Sequence, residues 1–262
     1  MKQTLTSKAT LLAAIFVIAC AGAASSTLAG EATLYLAPYG FMGNLGGGGQ
    51  VADGGAGTDF DLEDTFGLDS EERLLGVDGF FHVAMFQFSF GYQENGYSGG
   101  STLSQDLDFN GATFPAGSNI RSEFDLKHYK GMVGLTFGVP MVSFGFILGA
   151  HQIEVDTQIS SSGLDEQEDF SIPVPAVGVT FGVHPLKQLT IHGEASGMSA
   201  HVSGIEERMI DAYASMEYLF LGGKFGITAG YRYFDLEASD DDQDNHVDLK
   251  MHGPYAGFAL HL

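Results

Sequence analysis

Seven charged side chains stand between apolar or small neighbours on runs that alternate with a period of two. They are Asp78 beside Val77, Lys130 between Tyr129 and Gly131, Glu194 between Gly193 and Ala195, Asp211 and Glu217 in MIDAYASMEYLF, Arg232 between Tyr231 and Tyr233, and Lys250 between Leu249 and Met251. Successive side chains of an extended chain point to opposite faces, so these charges share a face that the aromatic residues avoid. His82, His128, His151 and His192 fall on the same parity. Charged groups removed from bulk water need partners. Lys130, Arg232 and Lys250 against Asp78, Glu194, Asp211 and Glu217 therefore predict an internal ion-pair network. Arginine's planar fork can serve two carboxylates at once. Arg232 is accordingly expected to touch Glu194 or Glu217, which lie on the two strands preceding it.

Other groupings carry less chemistry. Asp240, Asp242 and Asp244 have the spacing that opens a calcium loop, but Asn245 stands where that loop needs glycine and Met251 where it needs a bidentate glutamate. Such an acidic loop can still hold divalent cations weakly, or bridge through them to anionic lipid. His201 and Ser203 lie two apart, with Glu206 near, a minimal base–nucleophile–orienter set. The nine histidines show no HExxH and no i, i+4 pairing, so metalloenzyme chemistry is unsupported. No catalytic residue is assigned, and no cofactor is expected.

The elements that must position these groups are long strands. In NIRSEFDLKHYKGMVGLTFGVPMVSFGFILGAHQIEVDTQIS (119–160), Tyr129, Val133, Leu135 and Phe137 share one parity, and Val142, Phe144, Phe146 and Leu148 share one in the returning arm. A tight turn at Val139-Pro140-Met141 joins the arms. Soluble strands usually stop after five or six residues. These run far longer, and the apolar stretch beside the turn has the height of a tilted strand crossing a membrane. The rest of the chain repeats the hairpin, giving ten strands, or eight if the first strand or the proline-bearing sixth is not one. Long connections at 43–70, 99–118, 161–169, 204–208 and 238–245 alternate with short turns. That asymmetry predicts an all-β, antiparallel, up-and-down transmembrane barrel, closed because lipid cannot satisfy a free strand edge. Phe88, Leu135, Phe146, Val179 and Ile227 should face lipid. Gly253-Pro254 predicts a bulge at which parity switches in the last strand.

The chain carries 11 basic against 33 acidic residues, a net charge of −22, which excludes nucleic-acid binding. Mean hydropathy is near zero, as expected where lipid-facing and inward residues alternate. Residues 1–29 read as a secretory signal: Lys2 and Lys8, an apolar run from Leu11 to Ala19, then small residues ending at Thr27-Leu28-Ala29. Removing them takes the net charge to −24, with 9 basic residues left against 33 acidic. The barrel domain is then 30–262. The single cysteine, Cys20, lies inside the signal, although Val17-Ile18-Ala19-Cys20 also has the form of a lipidation box.

DFDLEDTFGLD (59–69), FNGATFPAGSNIRSEFDLKHY (109–129), GYRYFDLE (230–237) and the closing GPYAGFALHL (253–262) resemble the small bacterial outer-membrane β-barrels of the porin-like families. The resemblance spans nearly the whole chain and is specific for architecture. It implies a bacterial outer-membrane location, contact with outer-membrane lipid and lipopolysaccharide, and a structural or interaction role with passage of small solutes through a narrow lumen. The enzymatic alternatives are a lipid A deacylase-like use of His201 and Ser203, or an omptin-like use of Asp244 and His246.

Overall fold

The computed structural model describes residues 32–50, 58–68, 71–139, 141–202, 205–240 and 245–262. The signal region with Cys20, the side chains of Asp240, His201 and Glu206, and residues Asp242, Asp244 and Ser203 lie outside what it describes. The strands are β1 (Ala32–Gln50), β2 (Asp59–Asp61), β3 (Glu71–Val83), β4 (Phe86–Thr102), β5 (Leu107–Phe109), β6 (Ala112–Phe114), β7 (Asn119–Val139), β8 (Val142–Ser161), β9 (Leu164–Leu186), β10 (Leu189–Val202), β11 (Ile205–Phe220), β12 (Phe225–Asp240) and β13 (Asn245–His261). β1, β3, β4 and β7 to β13 pair in sequence order, and β13 pairs with β1. The result is a closed ten-stranded antiparallel barrel.

The strands extend well into the segments expected to be loops. β1 continues through the glycines to Gln50, and the connection expected at 161–169 is a two-residue turn after Ser161, with Gly163 at φ +92°. The expected loop at 204–208 is likewise taken up by β11, which starts at Ile205, and β12 runs on to Asp240. Cross-strand pairing carries the ladder onward wherever alternation continues, whether or not the residues are apolar. The expected bulge at Gly253-Pro254 is absent. Tyr255 pairs Phe41 and His252 pairs Asn44, so the same register resumes on both sides, and the β12–β13 ladder is unbroken. Pro254 lacks a ladder donor, and the chain loses pairing with β1 there without inserting a residue.

Along several of the long strands the apolar residues change face once. In β7, Val133, Leu135 and Phe137 face outward, whereas Ile120, Phe124 and Leu126 face inward and are buried. In β8, Val142, Phe144, Phe146 and Leu148 are exposed on the outside, and Ile153, Val155 and Ile159 are buried inside. β12 and β13 repeat this with Ile227 and Phe258 outside, and Phe234, Leu236, Leu249 and Met251 inside. The register holds through this change of face in β7, β8, β12 and β13, and the β9–β10 ladder shifts only beside its short turn, between Leu189 and Ile191. What changes is the solvent outside the wall, from lipid beside the short turns to water beyond. The outer half is thus packed like a soluble β-barrel, apolar within and charged without.

Two outer connections complete that packing. β5 and β6 form a hairpin around Asn110-Gly111, both with positive φ (47° and 78°), the arrangement a tight two-residue turn requires. Leu103, Leu107, Phe109 and Phe114 from this connection, and Leu62, Phe66 and Leu68 from the preceding one, join the buried cluster of the wall. Phe60 stacks on Phe66 at 4.6 Å, and both meet Phe109 edge-on. Leu68 bridges to Gly99, and the Ser101 hydroxyl donates to the Thr65 carbonyl, which anchors the first connection to β4. The packing leaves a small, partly open pocket of about 30 Å³ lined by Phe60, Leu62, Phe109, Phe124, Val155 and Phe170, with Thr157, Glu168 and Asp248 also in its wall.

Candidate functional site

Beneath the apolar plug, where the apolar residues change face, the lumen is crossed by a charged layer. Asp211 on β11 is its hub. Arg232 on β12 grips it in a fork, Nε to Oδ1 and Nη2 to Oδ2, both at 3.1 Å. The same guanidinium donates from Nη1 to Asp78 Oδ2 on β3 at 3.0 Å and to the Tyr39 hydroxyl on β1 at 2.5 Å. Lys130 on β7 reaches across the lumen to Glu194 Oε1 at 2.7 Å and to Asp211 Oδ2 at 3.5 Å. The Tyr213 ring lies under both cations, 5.1 Å from Lys130 Nζ and 5.8 Å from the Arg232 guanidinium. All five charged side chains are buried. Two cations facing three carboxylates leave one net negative charge in the layer.

Arg232 does not touch Glu194 or Glu217, contrary to the expectation from strand order. In register Arg232 faces Tyr213, and Tyr213 faces Glu194 on the far side, so an aromatic ring and two strand spacings of about 4.8 Å each separate the pair. Glu217 lies four residues further along β11, roughly 13 Å at the rise of an extended chain. Asp211, two residues from Tyr213 on the inward face, is the carboxylate within reach. Glu217 instead accepts from His261 Nε2 at 2.8 Å, nearer the short-turn end. Lys250 faces outward, because the β13 register holds through Gly253-Pro254. It donates to both oxygens of Asp248, at 3.0 and 2.9 Å. Asp78, Lys130, Glu194, Asp211 and Arg232 thus meet in one layer, and Glu217 and Lys250 stand apart from it.

His128 and His151 add a second inward motif. Their rings stack at 5.0 Å and share a hydrogen bond of 2.7 Å, and His151 Nε2 is 3.2 Å from Ser196 Oγ. A nitrogen of each and a carboxylate oxygen of Asp211 lie within 4.8 Å of one another. Both Asp211 oxygens are already engaged by guanidinium or ammonium groups, so a metal ion there would face two fixed cations. Nearer the short turns the lining is mixed: the Glu217–His261 pair, hydrogen bonds of His82 with Gln87, Gln87 with Ser89 and Thr136, and His192 with Ser215, and a small cluster of Tyr35, Ala37, Phe80 and Ala259 in which Tyr35 stacks on Phe80.

Outside, Phe88, Leu135, Phe146, Val179 and Ile227 all stand exposed on a band lying between the short turns and the charged outer extensions. On β8 it runs from Val142 to Ala150, nine residues, the number a tilted strand needs to cross hydrocarbon. A closed wall with an apolar belt outside and paired charges inside leaves no free strand edge in lipid. The chain is a closed, ten-stranded, transmembrane antiparallel β-barrel.

No protein-family model matches the sequence, and no curated protein matches it. Among solved structures, the chain is similar to Ail, the attachment invasion locus protein of Yersinia pestis (13% identity, 88% of this chain and 99% of that one, TM-score 0.35). It is also similar to the translocator domain of autotransporter NalP from Neisseria meningitidis (14% identity, 99% of each chain, TM-score 0.41). The toluene transporter TodX of Pseudomonas putida matches at 7% identity over 89% of each chain, with a TM-score of 0.28. Scores this low carry no weight for function, and the architecture above rests on strand register and the exposed belt.

The sequence reading missed the plug. Its signal was present as Asn110-Gly111 flanked by short apolar runs, the strongest short-range hairpin cue, inside a segment read only as loop. Of the groups considered for catalysis, His246 is described, and it lies 3.8 Å from Asp59 at the surface.

Proposed function

We propose that this chain is a non-enzymatic barrel, sealed to ions at rest, whose role is structural and interactive at the outer surface. The observation that supports this reading is the filled lumen. A buried apolar plug lies in series with a buried, mutually paired charged layer, and either alone opposes a hydrated ion. Passage of a small solute would require both to give way. The outer extensions present the interaction surface, with Glu123, Asp125, Glu154 and Asp156 on their outward faces. They stand beyond the lipid belt, where lipopolysaccharide and other surface partners meet the protein. No reaction is proposed, because the inward acids and bases of the layer are consumed by one another.

Planar-bilayer recording tests the seal. The full chain should show no steady conductance. A variant lacking 103–118 and carrying Arg232→Ala should conduct, with preference for cations, since three carboxylates then face one lysine. Steady ohmic conductance from the unaltered chain would overturn the reading.

A further inference from the structure

Three carboxylates gather on the outward face of β12 and β13, beyond the lipid belt and outside the lumen. Asp235 and Glu237 are two residues apart on one strand, and Glu237 pairs in register with Asp248 on the next. One oxygen from each lies within 4.8 Å of the others. Glu237 accepts from Arg208 Nη1 at 3.2 Å on both oxygens, and Asp248 is held by Lys250. Two cations against three carboxylates leave one net negative charge in the cluster, and Lys250, which faces Asp235 in register, bonds Asp248 instead. Asp235 Oδ2 accepts from the Tyr233 hydroxyl at 2.6 Å. Its Oδ1 is buried and has no hydrogen-bond partner, although the residue as a whole is only 4% exposed. A carboxylate oxygen shielded from water and left unpaired is unfavourable unless something else binds it.

We infer that Asp235, Glu237 and Asp248 form a binding site for a hard divalent cation such as calcium. The oxygen ligands suit that class of ion, and Lys250 occupies part of the site as an internal substitute. The position favours such an ion. Just below it Tyr231 stands exposed at the edge of the belt, so the site sits at the level of lipid headgroups, where open coordination positions would face outward.

Terbium luminescence tests this directly. The chain has no tryptophan, so protein-sensitised emission must come from tyrosine, and Tyr233 is bonded to the proposed ligand. The refolded full chain in phosphatidylcholine vesicles, freed of divalent ions, should give saturable emission that calcium displaces. Asp235→Asn should weaken affinity about tenfold or more, since loss of even an outer-shell partner costs metal sites 10–100-fold. Lys250→Met should strengthen it several-fold by freeing Asp248, an effect opposite in direction to any produced by misfolding. Combined replacement of Asp240, Asp242 and Asp244 by asparagine should leave both the emission and the Asp235 effect in place. Absence of saturable emission, an Asp235→Asn affinity equal to that of the unaltered chain, or emission lost only with the 240–244 changes would each overturn the proposal.

Discussion

Replacing Arg232 by alanine removes the cation that serves two carboxylates of the luminal layer. Asp211 keeps Lys130 at 3.5 Å, but Asp78 loses its ion-pair partner, and the Tyr39 hydroxyl loses its donor. The layer passes from two cations against three carboxylates to one against three. Breaking a buried pair by deleting one partner costs about 3–5 kcal/mol, because the surviving charge stays desolvated. Two carboxylates depend on this guanidinium, so the loss should fall toward the upper end of that range. Urea unfolding in lipid vesicles, extrapolated linearly to water, measures it. Arg232→Met combined with Asp78→Asn and Asp211→Asn should recover much of the loss, since the layer then holds only the mutually paired Glu194 and Lys130. Arg232→Lys should fall between, because a single ammonium cannot reproduce the fork on Asp211 while holding Asp78. A loss below about 1 kcal/mol for Arg232→Ala, the scale of an exposed pair, would show that the layer is solvated and would remove the argument for a seal at this level.

Leu135 stands in the middle of the belt, paired in register with Phe86 and Phe146. Leu135→Arg should cost about 2–4 kcal/mol of stability in vesicles, the scale for arginine at the bilayer midplane, and a change no larger than that of a surface substitution would place this strand face outside lipid. On the outer extension, Asp125 faces Asp156 directly across β7 and β8. Partial desolvation, with the Asp156 charge second, raises the Asp125 carboxyl above the usual carboxylate value. A raised acid contributes stability that is present at low pH and lost as pH rises through its folded value. Asp125→Asn should therefore stabilise the barrel by a few tenths of a kcal/mol at neutral pH, with the advantage vanishing below about pH 4. An advantage that is absent, or constant with pH, would contradict the like-charge account.

Strand count, topology and the lipid face were legible because a period of two survives along the whole of each strand. Phe88, Leu135, Phe146, Val179 and Ile227 could be placed from alternation alone. Lys250 was misplaced because Gly253-Pro254 was taken to insert a residue, whereas the proline only deletes a bond and leaves the even positions outward. Arg232's partner was misassigned for a different reason. Strand order identifies neighbouring strands but not depth, and a ladder offset of two or four residues decides whether Asp211, Glu194 or Glu217 comes within a guanidinium's reach. The plug escaped because its stabilising contacts are long-range: Phe66, Phe109 and Phe114 are buried by the wall, and nothing local to them says that a wall is there.

The change of apolar face along β7, β8, β12 and β13 explains why the charged layer lies where it does. Below the flip, lipid takes most apolar side chains outward, and the lumen holds polar groups with a few inward apolar ones such as Tyr35, Met132 and Ile147. Above it, water takes the charges outward and the lumen receives Phe124, Leu126, Ile153, Val155, Phe234 and Leu236. At the crossover neither rule fills the interior. Lys130, which lies between Leu126 and Val133 on β7, and Arg232, which lies between Ile227 and Phe234 on β12, occur at that crossover on their strands. Charges placed there have the apolar plug on one side and a mixed, largely polar lining on the other. They are desolvated from above, so pairing must supply what hydration no longer does. A ten-stranded wall is slightly too wide for side chains from one face to meet across it. Long side chains that end in charge, converging on the single hub Asp211, span that width where shorter polar residues would leave a water-filled gap. On this account, the position of the ion layer is dictated by the outer boundary of the membrane.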